Sequence, residues 1–234
     1  MPTKSELWNR FQKYFFDFPE IELALDLSRL DLAEDYLNSL APRFTKAFAA
    51  MSALEQGAIA NPDEKRMVGH YWLRTPALAP TPQIRTEIES TVREIKSFAA
   101  DVHSGKICGA RGPFKNILLI GIGGSALGPQ FVSHALGHPT TDKLDLYFFD
   151  NTDPDGMDKV LSEIITELGE TICIVISKSG GTKETRNGMV EATAAYERAG
   201  LDFAPHAVAV TGAASQDTAA QPASPAMPEP SAKA

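Results

Sequence analysis

From Asn116 to Val210 the chain alternates between two kinds of segment, and this alternation limits the fold more than any other feature of the sequence. Four short apolar runs, residues 117–120, 144–149, 172–176 and 207–210, are separated by stretches with helical spacing at 126–136, 155–168 and 182–199. Short runs rich in Ile, Leu and Val, without polar alternation, predict strands buried on both faces. Strands alternating with helices predict an α/β fold with a parallel sheet and right-handed crossovers. The Asp153-Pro154 pair before the second helical stretch supports this, because it offers an N-cap acid and a proline at the first helical position. Asp155 and Asp158 follow as acids favoured near a helix N-terminus. Sheets of this kind take ligands at the carboxyl ends of their strands, so function is to be sought in the loops after the apolar runs.

The flanking regions differ in kind. Residues 1–105 are predicted to form a mainly helical segment, with apolar residues at helical spacing in 7–16, 44–54 and 84–98. In the last of these Glu87, Glu89, Arg93, Glu94 and Lys96 occupy the polar positions, and Pro76, Pro80 and Pro82 predict a loop before it. Trp8 and Trp72 read as core or subunit-contact aromatics. From Ala213 to Ala234 there is no Leu, Ile, Val, Phe, Tyr or Trp, and Ala, Pro and Ser dominate. Such a stretch buries too little apolar surface to offset its ordering entropy, so a disordered tail is expected there. The expected division is therefore 1–105, 106–212 and 213–234.

Charge and cysteine content narrow the function classes. The net charge is −8 with no cluster of Lys and Arg, which speaks against a nucleic-acid partner. No stretch approaches 18 apolar residues, and the first eight lack the apolar region of a signal peptide, so no membrane partner is expected. Cys108 and Cys173 are far apart, and Cys173 lies in an apolar run, which suits a small buried hydrophobe in a reducing, cytoplasmic compartment. His70, His103, His134, His138 and His206 show no metal-ligand spacing, and no metal is expected.

Two loops carry the chemistry. The first, Gly121-Ile122-Gly123-Gly124-Ser125-Ala126-Leu127-Gly128-Pro129, follows a strand and opens a helix. Its glycines let the backbone turn sharply and bring N–H groups against an anion at the helix N-terminus. It matches the dinucleotide fingerprint formally at Gly121, Gly123 and Ala126, with Asp150 where a ribose-binding acid would stand. A glycine-rich turn serving only tight packing is the plain alternative. The second loop, Ser177-Lys178-Ser179-Gly180-Gly181-Thr182-Lys183-Glu184-Thr185, favours a phosphate monoester. Hydroxyls and glycines at a helix N-terminus converge donors on phosphate oxygens, and a dinucleotide site has no need of such a second loop. Helix capping by Ser179 or Thr182 explains one hydroxyl, not three beside two glycines.

In order and spacing the run 121–129, the run Asp150-Asn151-Thr152-Asp153-Pro154 and the run 177–185 resemble the glucose-6-phosphate isomerase family. The stretch 61–74, Asn-Pro-Asp-Glu-Lys-Arg-Met-Val-Gly-His-Tyr-Trp-Leu-Arg, resembles the helical N-terminal part of bacterial members, and the resemblance covers roughly residues 1–212. It implies a SIS (sugar isomerase) domain of flavodoxin-like kind. It also implies an aldose–ketose isomerisation of glucose 6-phosphate to fructose 6-phosphate, without metal or redox cofactor, in homodimeric full-length members. By motif match Gly124 and Ser125 lie along the sugar, while Ser177, Lys178, Ser179, Gly180, Gly181 and Thr182 hold the phosphate. The family's base glutamate, arginine, histidine and C-terminal lysine belong to a second SIS domain and match no residue here. No catalytic residue is assigned, and Glu184 reads as an acid at a helix start. A non-catalytic sugar-phosphate-binding module and an NAD-dependent oxidoreductase are the rival readings.

Overall fold

The computed structural model describes residues 2–212 apart from Glu34 and Glu64. The stretch 213–234, expected to be a disordered tail, lies outside the described residues. The chain divides into two compact units between Ser90 and Thr91, a boundary that falls inside one long helix.

The first unit opens with helix α1 (Lys4–Tyr14), started by a capping box. The Glu6 amide donates to Thr3 Oγ1 at 3.3 Å, and the Thr3 amide donates back to Glu6 Oε2 at 2.7 Å. These bonds hold the Glu6 carboxyl below its ordinary range. The helical pattern of residues 7–16 ends earlier than expected, because an antiparallel hairpin follows. Strands β1 (Phe15–Phe18) and β2 (Leu23–Asp26) pair Phe15 with Asp26 and Phe18 with Leu23. Pro19 and the left-handed Glu22 (φ 52°) turn the chain between them. Helices α2 (Tyr36–Ser39), α3 (Ala41–Glu55) and α4 (His70–Arg74) follow. Trp72 is buried and its indole N–H donates to the Glu55 carbonyl at 2.8 Å, as a core aromatic should. Trp8 is exposed and stacked on Phe11, so it is not a core residue of the described chain.

Helix α5 (Pro82–His103) spans the boundary. Pro82 occupies its first position rather than ending a loop, and Thr81 Oγ1 accepts from the Ile84 amide at 3.3 Å. In the second unit come β3 (Asn116–Ile120), α6 (Gly124–Leu136), β4 (Asp145–Phe149), α7 (Pro154–Ile164), β5 (Thr171–Ser177), α8 (Lys183–Arg198) and β6 (Ala207–Thr211). All four strands are parallel, in the order β4-β3-β5-β6. The first strand thus has the second on one side and the third on the other. That is the flavodoxin-like order, whereas a dinucleotide-binding half places its third strand outside its second.

Burial follows this order. β3 is central and nearly all buried, as is the first half of β5. The edge strands β4 and β6 are only partly covered, so the expectation of burial on both faces fails for them. α7 and α8 cover one face around Leu118, Ile120, Cys173, Leu161, Ala192 and Tyr196. On the other, Phe98 and Val102 of α5 pack with Phe114 and Ile172. The Tyr196 hydroxyl donates to the Thr171 carbonyl at 2.8 Å, and Phe203 meets its ring edge-on with centroids 5.4 Å apart. His206, buried, accepts from the Ala110 amide at Nε2 (3.0 Å) and donates from Nδ1 to the Asp202 carbonyl (2.9 Å). It is a satisfied structural histidine.

α8 sits close to the sheet because Gly188 faces it. A Cβ on Gly188 would stand 2.9 Å from Ile120 Cγ2 and 3.4 Å from the Phe149 ring. Gly188→Val should therefore lower stability by about 2 kcal/mol, overpacking outweighing the better helix propensity. Urea unfolding checks this, and an unchanged midpoint would contradict the close seating.

Candidate functional site

The two ends of the sheet differ in character. At the amino ends of the strands the polar groups are mutually satisfied. Asn116 Nδ2 donates to Glu167 Oε2 and Thr171 Oγ1, and Lys115 Nζ reaches Glu170 at 3.0 Å. At the carboxyl ends the loops after β3 and β5 stand side by side. Because the next two strands, β4 and β5, lie on opposite sides of β3, this is the topological switch point, where α/β sheets bind their ligands.

The loop after β3 continues the sheet for one residue: the Gly121 amide donates to the Phe149 carbonyl at 3.0 Å. Gly121 leaves no room for a side chain, since a Cβ there would lie 2.9 Å from Ser125 Cβ. Gly123 adopts φ 56° and ψ −126°, a conformation that side chains disfavour, and this turns the chain into α6. Gly124 and Ser125 form the first turn of α6, where the Ser125 amide donates to the Ile122 carbonyl at 3.2 Å. Gly124 is exposed and Ser125 half-buried, both on the open end of the sheet.

β5 runs two residues past the level of Ile120, which pairs with Val175, so Ser177 stands beyond the carboxyl end of β3 and pairs with Thr211 of β6. Ser177 Oγ donates to Thr182 Oγ1 at 3.1 Å. Gly180 turns the loop at φ 74°, and the Gly181 amide donates to Ser179 Oγ at 3.2 Å. The Lys178 carbonyl accepts from the Gly212 amide at 3.1 Å, which ties the loop to the end of β6, and its side chain is exposed. Thr182 is the N-cap of α8, yet neither its hydroxyl nor that of Ser179 caps the helix. The plain capping explanation for these hydroxyls therefore does not hold. Glu184 is an exposed first-turn acid, without a cap hydrogen bond.

The predicted residues thus lie in two loops that follow neighbouring strands, each opening a helix. Loops of hydroxyls and glycines at helix N-termini suit a phosphate dianion, although here the Ser177 hydroxyl and the Ser125, Gly180 and Gly181 amides donate within their own loops. They suit a dinucleotide poorly. Both oxygens of Asp150 are engaged, Oδ2 by Gln130 Nε2 at 2.6 Å and Oδ1 by Asn151 Nδ2 at 2.8 Å. Asp153 caps α7 by position only; its amide donates instead to Asn151 Oδ1 at 2.8 Å. Among the described residues there is no group of three or more His, Cys, Asp and Glu that could hold a metal ion. No helix among them is long and apolar enough to cross a membrane.

The family model described as phosphoglucose isomerase matches residues 26–218. The chain belongs to the phosphoglucose isomerase family. Curated glucose-6-phosphate isomerases of Geobacter sp. (strain M21) and Geobacter sulfurreducens are 58% and 59% identical to it, over 214 and 213 residues. These alignments cover 91% and 90% of this chain and 40% of each relative. Among solved structures, a glucose-6-phosphate isomerase from Chlamydia trachomatis superposes with a TM-score of 0.74 at 26% identity, again over 89% of this chain and 40% of that one. The chain thus spans about 40% of the length of the isomerases it matches. Both loops lie within residues 26–218, the part of the chain that the family model matches.

Two features at the site have no clear sequence signal. The Gln130–Asp150–Asn151 network links α6 to the end of β4 through residues 20 positions apart. Thr185 is buried on the sheet side of the first turn of α8, with a hydroxyl that has no partner among the described residues.

Proposed function

We propose that this chain supplies the sugar-phosphate-binding half of a glucose-6-phosphate isomerase, working on glucose 6-phosphate and fructose 6-phosphate in the cytoplasm. The observation that carries the reading is the pairing of the Gly121–Ser125 and Ser177–Thr182 loops at the switch point between β3 and β5. A phosphate held there fixes one end of the sugar, and remote binding energy of this kind orients the reacting carbons at the other. Ser177 and Thr182 supply hydroxyl donors, Gly124 and Ser125 lie along the sugar, and Lys178 adds positive charge.

The proposal includes a polypeptide partner, namely the portion of the relatives that the match leaves uncovered, within a homodimeric assembly. Helix α6 supports it. The helix carries no Asp, Glu, Lys or Arg, and its outer side presents Leu127, Phe131, Val132 and Leu136, with Phe131 73% and Leu136 79% exposed. Apolar surface of this extent on an acidic chain is characteristic of a protein–protein contact.

The test is calorimetric titration with glucose 6-phosphate and with NAD. Glucose 6-phosphate should bind and NAD should not. Thr182→Ala should weaken glucose 6-phosphate binding roughly tenfold, the worth of a hydrogen bond to a charged group. Thr182 makes no capping bond, so the variant should lose only the part-buried bond from Ser177, about 1 kcal/mol, and remain folded. Equal affinity in parent and variant, or preferential binding of NAD, would overturn the assignment.

A further inference from the structure

Helix α8 turns Thr185, Gly188, Ala192, Ala195 and Tyr196 toward the sheet. Three of these have no polar side-chain atom, and the Tyr196 hydroxyl is bonded to the Thr171 carbonyl. Thr185 breaks the pattern: it is 4% exposed, and its Oγ1 is buried without a hydrogen-bond partner among the described residues. Valine has nearly the same shape and would bury no unsatisfied oxygen, so packing alone gives no reason for a hydroxyl here. The placement does. Gly188, one turn further on, rests over Ile120 and Phe149, the last residues of β3 and β4. Thr185 therefore lies one turn nearer the carboxyl ends of the strands, at the level of the two loops, and three residues after Thr182.

Resting on the reading that these loops hold a sugar phosphate, we propose that Thr185 is a positioning residue of the site. Its hydroxyl donates to Thr182 Oγ1 when ligand binding opens the Ser177–Thr182 pair. In the free chain the Ser177 hydroxyl points at Thr182 Oγ1 over 3.1 Å. When both hydroxyls donate to a phosphate, Thr182 Oγ1 loses the proton it had been accepting. Residues three apart on a helix are neighbours, and threonine populates two χ1 rotamers in helices, so the Thr185 hydroxyl can turn to replace that donor. The free state then carries an unpaired buried hydroxyl that the bound state pairs, and a contact made in only one state shifts the equilibrium toward it.

The test compares Thr185→Val, Thr185→Ser and Thr182→Ala with the parent chain, by thermal unfolding without ligand and by calorimetry with glucose 6-phosphate. Thr185→Val should melt about 2–4 °C higher, because a buried unsatisfied group is removed, and bind about fivefold more weakly. Thr185→Ser should bind like the parent. A purely structural threonine would give the opposite pattern, with a lower melting temperature in Thr185→Val and unchanged affinity, and that result overturns the proposal. If Thr182→Ala weakens binding and Thr185→Val does not, only the role of Thr185 falls. If the parent itself does not bind glucose 6-phosphate, the reading of the loops falls and takes this one with it.

Discussion

Purified as the 234-residue polypeptide, the chain is expected to bind glucose 6-phosphate and leave it unconverted. Isomerisation moves a proton between two neighbouring carbons, which needs a base within about 3 Å of the reacting C–H and a group to stabilise the oxygen that turns negative. On the proposed reading the two loops grip the far end of the substrate, and the residues assigned to them include neither of these groups. Glu184 is the nearest carboxylate by position, but it is an exposed first-turn acid of α8, beside the residues proposed to hold the phosphate. Loss of a positioned base alone costs about 10²–10⁴ in rate, and loss of oxyanion stabilisation a further 10²–10³. Turnover by this chain should therefore fall at least roughly 10⁴-fold below that of a full-length relative. A coupled assay for fructose 6-phosphate measures it. Adding the separately produced remainder of the Geobacter sulfurreducens isomerase should restore activity, and Phe131→Asp on α6 should prevent the restoration while leaving sugar-phosphate binding intact. Turnover by the chain alone that Glu184→Gln abolishes would show that the base lies here after all. Binding that persists with no restoration would favour the non-catalytic binding module.

How much of this was legible in the sequence depended on how local each signal was. The parallel sheet was legible because each strand is an apolar run and each helix lies between two of them, so the period alone separates the elements. The positions of the loops were legible because each runs from the end of an apolar run to the start of a helical spacing. The β1–β2 hairpin was not, since Phe15, Phe16 and Phe18 continue the apolar spacing of α1, and only the pairing with Leu23–Asp26 distinguishes strand from helix. Nor was the partial exposure of β4 and β6 legible, because edge and centre are decided by strand order, which composition does not encode. Asp150 shows the same limit at the site. It stands where a ribose-binding acid would, and only its bonds to Gln130 and Asn151 reveal that its oxygens are already engaged. Thr185 reads as one more polar residue of the loop until its burial is known.

Stability should fall steeply above pH 9, through two groups buried together beneath α8. Cys173 is fully buried and its thiol is pushed up to about 12, chiefly by burial, against which the Tyr196 hydroxyl acts only weakly. The Tyr196 phenol is raised as well, first by burial and then by the neighbouring Cys173. In the unfolded chain these groups release their protons near pH 8.5 and 10, as ordinary thiols and phenols do. Below pH 8.5 both states hold both protons, and these groups give stability no pH dependence. Above it the unfolded state loses protons that the folded state retains, so unfolding becomes more favourable as pH rises. For Cys173 the loss continues up to about pH 12. Each retained proton costs about 1.4 kcal/mol per pH unit, so the pair should remove roughly 5 kcal/mol by pH 11. That is a large share of the 5–15 kcal/mol typical of a folded domain. Urea unfolding under reducing conditions at pH 8, 9, 10 and 11 measures the slope. Tyr196→Phe combined with Cys173→Ala should start from lower stability at pH 8, having lost the bond to the Thr171 carbonyl and some packing, yet decline far less toward pH 11. If the double variant loses stability between pH 9 and 11 as fast as the parent, the alkaline limb belongs to other groups and this core is not its source.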